Sequence, residues 1–253
     1  MTPARVGLFV TCLVDLYRPN VGFAAVKLLE DAGYTVEVPE AQTCCGQPAF
    51  NSGDNATTRE IARQIITAFA DYDYVVGASG SCMATIRQHY PELFADQPEW
   101  QAKARDLAAK AFELTSFLTD IAGIESVDSS FKGEVTYQDS CSGLRELGIK
   151  QQPRTLLNSI DGVSIKEMAH SETCCGFGGT FCVKFPDIST RLVSDKVGNV
   201  CDAQVPVLLG GDLGCLLNIS GRLQRLEKAV RVYHIAEVLA DMADSPAIGE
   251  GES

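Results

Sequence analysis

Thr43-Cys44-Cys45-Gly46 and Thr173-Cys174-Cys175-Gly176 are one phrase written twice, and each copy has a lone cysteine upstream and another downstream. Upstream, 31 residues separate Cys12 from Cys44 and 32 separate Cys141 from Cys174. Downstream, 35 lie between Gly46 and Cys82 and 38 between Gly176 and Cys215. Eight of the ten cysteines therefore form two superimposable quartets: Cys12, Cys44, Cys45 and Cys82, then Cys141, Cys174, Cys175 and Cys215. A period of about 130 residues is too long for a solenoid and suits a pair of small α/β domains.

The segments between the cysteines support that reading. Val6 to Val10 is an apolar run that predicts a strand ending just before Cys12, and a helix from Pro19 carries Ala24, Ala25, Leu28 and Leu29 on one stripe until Gly33 stops it. Tyr34 to Val38 predicts the strand before the first double cysteine, Asn55 to Phe69 a helix, and Tyr72 to Ala78 the strand before Cys82. A helical pattern over Gln101 to Ile121 closes the first half, and Phe131 to Glu134 reads as a linker. The second half repeats the order, with strands at Val135 to Tyr137, Val163 to Met168 and Val205 to Leu209, and helices at Pro153 to Ile160 and Ile188 to Ala203. This alternation predicts two tandem α/β units, residues 1–130 and 131–244, with mainly parallel sheets and right-handed crossovers, related by duplication and a pseudo-two-fold axis. Residues 245–253 are Gly-rich and acidic and read as a disordered tail.

Composition narrows the partners. Of 253 residues 45% are apolar, enough for a real core, and 21 basic against 33 acidic residues leave a net charge of −12 that disfavours nucleic acid and anionic membranes. The apolar start is too short to span a bilayer and lacks a basic leader, so a cytoplasmic location is expected. In a reducing compartment ten cysteines do not form a disulfide framework. Thiolates suit soft metal ions or iron–sulfur clusters.

Parallel α/β sheets collect ligands beyond the carboxyl ends of their strands, which is where the predicted strands deliver both quartets. Cys82 and Cys215 also precede apolar stretches that read as helix starts, whose backbone N–H groups favour thiolate. Each quartet could supply four thiolates to zinc or to an iron–sulfur cluster. Adjacent cysteines are cramped on one small ion and reach different irons of a larger cluster more naturally, so the spacing favours iron–sulfur, with zinc the alternative. Outside the quartets, Cys201 reads as a core residue, and Cys182, in a Gly-rich loop, is a conceivable fifth ligand of the second centre.

Around these cysteines the chain resembles the cysteine-rich CCG domain family, which includes a component of heterodisulfide reductase and iron–sulfur components of glycolate and lactate oxidising systems. Thr43-Cys44-Cys45-Gly46-Gln47-Pro48, Asp139-Ser140-Cys141-Ser142-Gly143-Leu144-Arg145-Glu146 and Cys174-Cys175-Gly176-Phe177-Gly178-Gly179-Thr180-Phe181 are closer still to the lactate utilization protein A family. That resemblance implies an iron–sulfur protein, with two [4Fe-4S] centres, serving a complex that oxidises L-lactate to pyruvate. Its partners would be the other proteins of that system, a redox donor and an acceptor. One departure is informative: where the wider family continues to a further cysteine, this chain has Thr85 after Cys82 and Asn218 after Cys215. Four thiolates per half favour electron relay over a heterodisulfide or thiol–disulfide reductase, and a zinc-stabilised interaction module remains the third possibility.

Overall fold

The computed structural model describes residues 3–251. In the first half, β1 (Arg5–Leu8), β2 (Thr35–Glu37), β3 (Tyr74–Gly77) and β4 (Ala111–Glu113) form a parallel sheet in the order β2-β1-β3-β4. In the second half, β5 (Gly133–Gln138), β6 (Val163–Ile165), β7 (Val207–Gly210) and β8 (Arg231–His234) form a parallel sheet in the order β6-β5-β7-β8. The registers Val6↔Tyr74 and Val135↔Val207 place the central strands of each sheet side by side. These strands are almost continuously apolar because helices cover both faces.

The covering helices follow from local signals. Pro19–Asp31 begins with proline at its first turn and buries Val21, Ala24, Ala25, Leu28 and Leu29. Asp54 caps Asn55–Ala68 by accepting the Thr57 N–H. That helix buries Thr58, Ala62, Ile65 and Ile66, and Pro186–Asp202 buries the equivalent Ser189, Val193, Lys196 and Val197. The shared spacing makes the duplication visible face by face.

The halves meet by exchange. Helix Gly80–Ala84 of the first packs on Cys141–Arg145 of the second, while Cys12–Tyr17 packs on Leu213–Arg225. Likewise Pro19–Asp31 meets Ile235–Leu239, and Gln151–Asn158 meets Leu114–Ser116. Swapping the halves maps each pair onto the other, which is the pseudo-two-fold relation. One apolar core runs across the junction, from Val14 and Leu118 to Val238 and Leu239. The ion pair Arg18–Glu237 at 2.8 Å, with Glu237 also accepting from Asn20 at 2.9 Å, pins the same seam.

Three expectations need correction. The helix read over Gln101 to Ile121 ends at Lys110, because Ala111 to Glu113 pairs with Val75 to Gly77 as β4. The linker read at Phe131 to Glu134 already contains the first two residues of β5. The tail read as disordered is packed as far as it is described: Ala247 and Ile248 are buried, and the Ile248 N–H donates to the Val232 carbonyl at 2.8 Å. Glu252 and Ser253 lie outside the described residues.

Gly80 lies against the second half with no room for a side chain. A Cβ there would lie 2.8 Å from Ser140 Oγ and 3.0 Å from Gly143 Cα. Gly80→Ala is therefore expected to destabilise the chain by about 1–3 kcal/mol through overpacking. Gly198→Ala, in a helix interior with nothing within 4 Å, should stabilise it by up to about 1 kcal/mol. Chemical denaturation of the two variants beside the parent checks both signs.

Candidate functional site

Each quartet is assembled from the same three loops. Cys12 and Cys141 are the first residues of short helices, with Thr11 accepting from Val14 N and Ser140 from Gly143 N as caps. Cys82 and Cys215 are third residues of helices that follow β3 and β7 directly. Four cysteines therefore sit in helix first turns, whose free N–H groups favour thiolate. The double cysteines end the loops after β2 and β6, and each turns on a left-handed glycine, Gly46 and Gly176, both at φ 80. That conformation aims each glycine N–H back at the preceding sulfur, 3.4 Å from Cys44 Sγ and 3.4 Å from Cys174 Sγ. A Cβ on Gly176 would strike the Ser189 carbonyl at 2.6 Å, so the site admits only glycine there.

All eight predicted ligands are brought together in their two groups. Cys12 Sγ is 3.8 Å from Cys44 Sγ, Cys45 contacts the thiols of Cys44 and Cys82, and Cys175 Sγ is 2.7 Å from Cys215 Sγ. Cys45, Cys175 and Cys215 are buried, and the other five are half-buried. Hydrogen bonds from Cys12 and Cys45, with help from the Gly46 N–H, hold Cys44 well below the usual thiol range. Cys12 and Cys45, as its donors, are pushed up, and burial adds to both. Cys174 is lowered in the same way by Cys141 and Cys175. Cys215 accepts from Cys175, which lowers it, yet burial prevails and its thiol is raised.

The first quartet lines a cavity of about 190 Å³ that both halves enclose, with Phe177, Val183 and Leu213 reaching over it from the second. A single water needs roughly 10–15 Å³ on this measure, so the cavity has room for a multi-atom inorganic core. Among the described residues no three Cys, His, Asp or Glu side chains are arranged to hold a single metal ion. The first four sulfurs instead follow one another around the cavity wall. Cys182 stands apart from both groups, with Sγ 3.4 Å from the Gly179 carbonyl, and Cys201 packs against the main core.

The positions where a fifth cysteine is missing have acquired other work. Asn218 Nδ2 donates to the Cys175 carbonyl at 2.8 Å, and Thr85 Oγ1 donates to the Ser81 carbonyl at 2.9 Å. In the first half Tyr90 Oη supports the Cys45 carbonyl at 2.8 Å. The buried member of each double cysteine thus has its carbonyl fixed.

Several buried charged residues escaped the sequence reading. Asp212, the cap position of the Cys215 helix, crosses the seam to accept from Ser79 Oγ at 3.2 Å and Ser81 N at 2.9 Å, beside Cys82. Lys196 is fully buried and donates to the carbonyls of His170 at 3.2 Å and Ser171 at 2.8 Å. Burial lowers its ammonium to about 8, against the pull of Cys175 and Cys215. Glu113 ends β4 and accepts from Thr115 N, Thr115 Oγ1 and Ser116 N. Asp139 is buried and gripped in a bidentate pair by Arg154, with both bonds at 2.9 Å.

The cysteine-rich domain model matches residues 6–87 and 135–220, one copy on each half. A lactate utilization protein A from Geobacillus kaustophilus is 51% identical over 93% of this chain and 98% of its own length. The chain belongs to the lactate utilization protein A family. A second member, from Bacillus cytotoxicus, is 48% identical over the same shares. Among solved structures, a hypothetical protein from Helicobacter pylori matches all of this chain with a TM-score of 0.67 at 14% identity. The chain spans 50% of that protein, and the likeness is one of fold.

Glu113 gives the site region a pH signature. Burial raises its carboxyl from 4.5 to about 7, against the hydrogen bonds of Thr115 and Ser116. Because the folded value lies above the unfolded one, its contribution is fully present below about pH 4.5 and is lost as pH rises through about 7. Glu113→Gln is expected to gain on the parent by up to roughly 3 kcal/mol between those limits. Denaturant midpoints measured at pH 4.5 and pH 8 should show the gap between the two proteins opening with pH.

Proposed function

We propose that this chain is an iron–sulfur electron-transfer component of an L-lactate-oxidising system. One observation carries the reading: two equivalent groups of four thiols, each built from strand-end loops of one parallel sheet. Soft sulfur donors without histidine or carboxylate match iron–sulfur ligation. A zinc ion needs four donors about one point, a geometry less compatible with sulfurs strung around a cavity. The family's name supplies the lactate connection, and oxidation of lactate to pyruvate releases electrons that must be carried away. The partners on this reading are the other proteins of that system, acting as donor and acceptor.

On this reading Cys12, Cys44, Cys45 and Cys82 hold one centre and Cys141, Cys174, Cys175 and Cys215 the other. Bound there, [4Fe-4S] clusters would accept and release single electrons. The chain's own part is to hold the thiolates ready. Helix first turns and the N–H groups of Gly46 and Gly176 stabilise the sulfurs as anions, Phe177 and Leu213 keep water from the first quartet, and the Asn218 and Tyr90 anchors fix the double cysteines. With Thr85 and Asn218 where a further thiolate would stand, all four sulfurs of each half are committed to ligation, which favours relay over disulfide chemistry. No described helix is long and apolar enough to cross a membrane, and a cytoplasmic site of action is part of the proposal.

Anaerobic purification followed by iron, acid-labile sulfide and zinc analysis tests it. Iron and sulfide in equal amounts, sufficient for two clusters per chain, are expected. Cys45→Ser and Cys175→Ser should each lose about half of both. Zinc without labile sulfide would sink the proposal. Rapid thiol release from a disulfide by the reduced chain alone would move it to the reductase class.

A further inference from the structure

We infer that a small cavity at the seam, walled by Glu113 of the first half and by Tyr137 and Ser140 of the second, is a binding site for one water molecule that hydrogen-bonds the two halves to each other. The site forms whatever the cysteines hold.

The cavity measures about 20 Å³, and a water needs roughly 10–15 Å³ on the same measure, so one water fills it. Three residues of its wall have hydrogen-bonding capacity to spare. Glu113 is 3% exposed; its Oε2 accepts from Thr115 N, Thr115 Oγ1 and Ser116 N, while Oε1 has no protein donor among the described residues. Tyr137 is 4% exposed, and among the described residues its Oη makes no hydrogen bond to protein. Ser140 Oγ accepts from Gly143 N at 3.2 Å and keeps its own proton to donate. A Cβ built on Gly211 would stand 3.2 Å from Tyr137 Oη and 3.6 Å from Glu113 Oε1, so both oxygens converge on one spot beside the Gly211 backbone. They make no bond to each other, and a polar gap of this kind is where a bridging water belongs. Left dry, both groups would bear the full cost of desolvation, which a single water removes.

The duplication shows that the space is built rather than left over. Gly80, Gly143 and Gly211 in the wall correspond, through the cysteine spacing and the strand registers, to Leu213, Val14 and Ala78 of the other half, each a buried side chain. In the same register Tyr137 corresponds to Leu8 and Glu113 to His234. Glycines and a phenol have replaced apolar bulk on one side of the pseudo-two-fold axis. The charges nearby favour a neutral occupant over a cation. Asp139, also in the wall, is neutralised by Arg154, and the Asp212 carboxylate is bonded to Ser79 and Ser81. Among the described residues no three Cys, His, Asp or Glu side chains are arranged to hold a metal ion. Burial raises the Glu113 carboxyl to about 7, and in its protonated form it has a proton to share as well as lone pairs. A water, with two donors and two acceptors, matches such a set.

A crystal structure of the full chain, at a resolution that shows ordered water, should hold one water peak within hydrogen-bond reach of Glu113 Oε1 and Tyr137 Oη. Gly211→Ala sets a methyl beside that place without demanding a left-handed backbone, and the peak should vanish. In urea titrations of the full chain, Tyr137→Phe, which keeps the ring and removes one partner, should lower the folding equilibrium constant roughly two- to tenfold. Where Gly211 is already alanine the bridge is gone, and the same change should cost about twofold or less. An empty cavity in the parent crystal, or a direct bond between Glu113 and Tyr137, overturns the proposal. An equal cost of Tyr137→Phe in both backgrounds does so too. A peak that changes when sodium is exchanged for potassium would make the occupant a cation and likewise defeat it. If Gly211→Ala does not fold, the crystal structure of Tyr137→Phe takes its place, with a peak lost or displaced expected and an unmoved peak counting against the bridge.

Discussion

Within each sheet every strand runs the same way, so every strand-to-helix turn falls on one edge, and most of the structure depends on this constraint. Residues as distant in sequence as Cys12, Cys45 and Cys82 meet there because β1, β2 and β3 deliver them to the same rim. The turns that bring the cysteines together also begin helices, so the thiols arrive where backbone N–H groups lack partners. Backbone donors close to the sulfurs are therefore a by-product of topology. The left-handed glycine after each double cysteine adds the one donor that topology does not provide.

The two rims do not act alone. The Cys82 helix packs on the Cys141 helix and the Cys12 helix on the Cys215 helix, so each quartet is braced by the other half. Gly80 is the contact point, and its missing side chain lets two cysteine-bearing helices approach to backbone distance. Asp212 reinforces the same approach: its carboxylate leaves its own helix without a side-chain cap and serves Ser79 and Ser81 across the seam. Burying a carboxylate is costly unless it is hydrogen-bonded, and here the partners come from the opposite half. A half taken alone would expose that carboxylate and the core shared by Val14, Leu118, Val238 and Leu239.

The architecture and the quartets were legible because their signals are local or periodic: cysteine spacing, strand-length apolar runs, Pro and Gly at helix ends. What escaped depended on partners remote in sequence. Ala111 to Glu113 follows a good helix pattern without interruption, and only pairing with β3 turns it into a strand. Ile248 lies in an acidic, Gly-rich tail, yet β8 lends it a backbone partner and a buried slot. Asp212 sits in a glycine-rich loop, and its partners lie more than a hundred residues upstream. Lys196 left one trace that could have been followed, a lysine in the middle of the apolar stripe of Val193, Val197 and Val200.

Duplication starts with two equal sites, and the buried charges are where equality was lost. Ser79 caps the Cys82 helix while Asp212 occupies the same place before Cys215. Glu113 caps the helix after β4 while His234 caps the helix after β8. Ile65 lies under the first quartet's loop and Lys196 under the second's. Each change replaces a group with one of different charge or titration in a water-poor region, where Coulomb interactions are strongest. The backbone that gathers the thiols was left almost unchanged. On the electron-transfer reading this division of labour has a physical logic, since a relay between identical centres has no preferred direction.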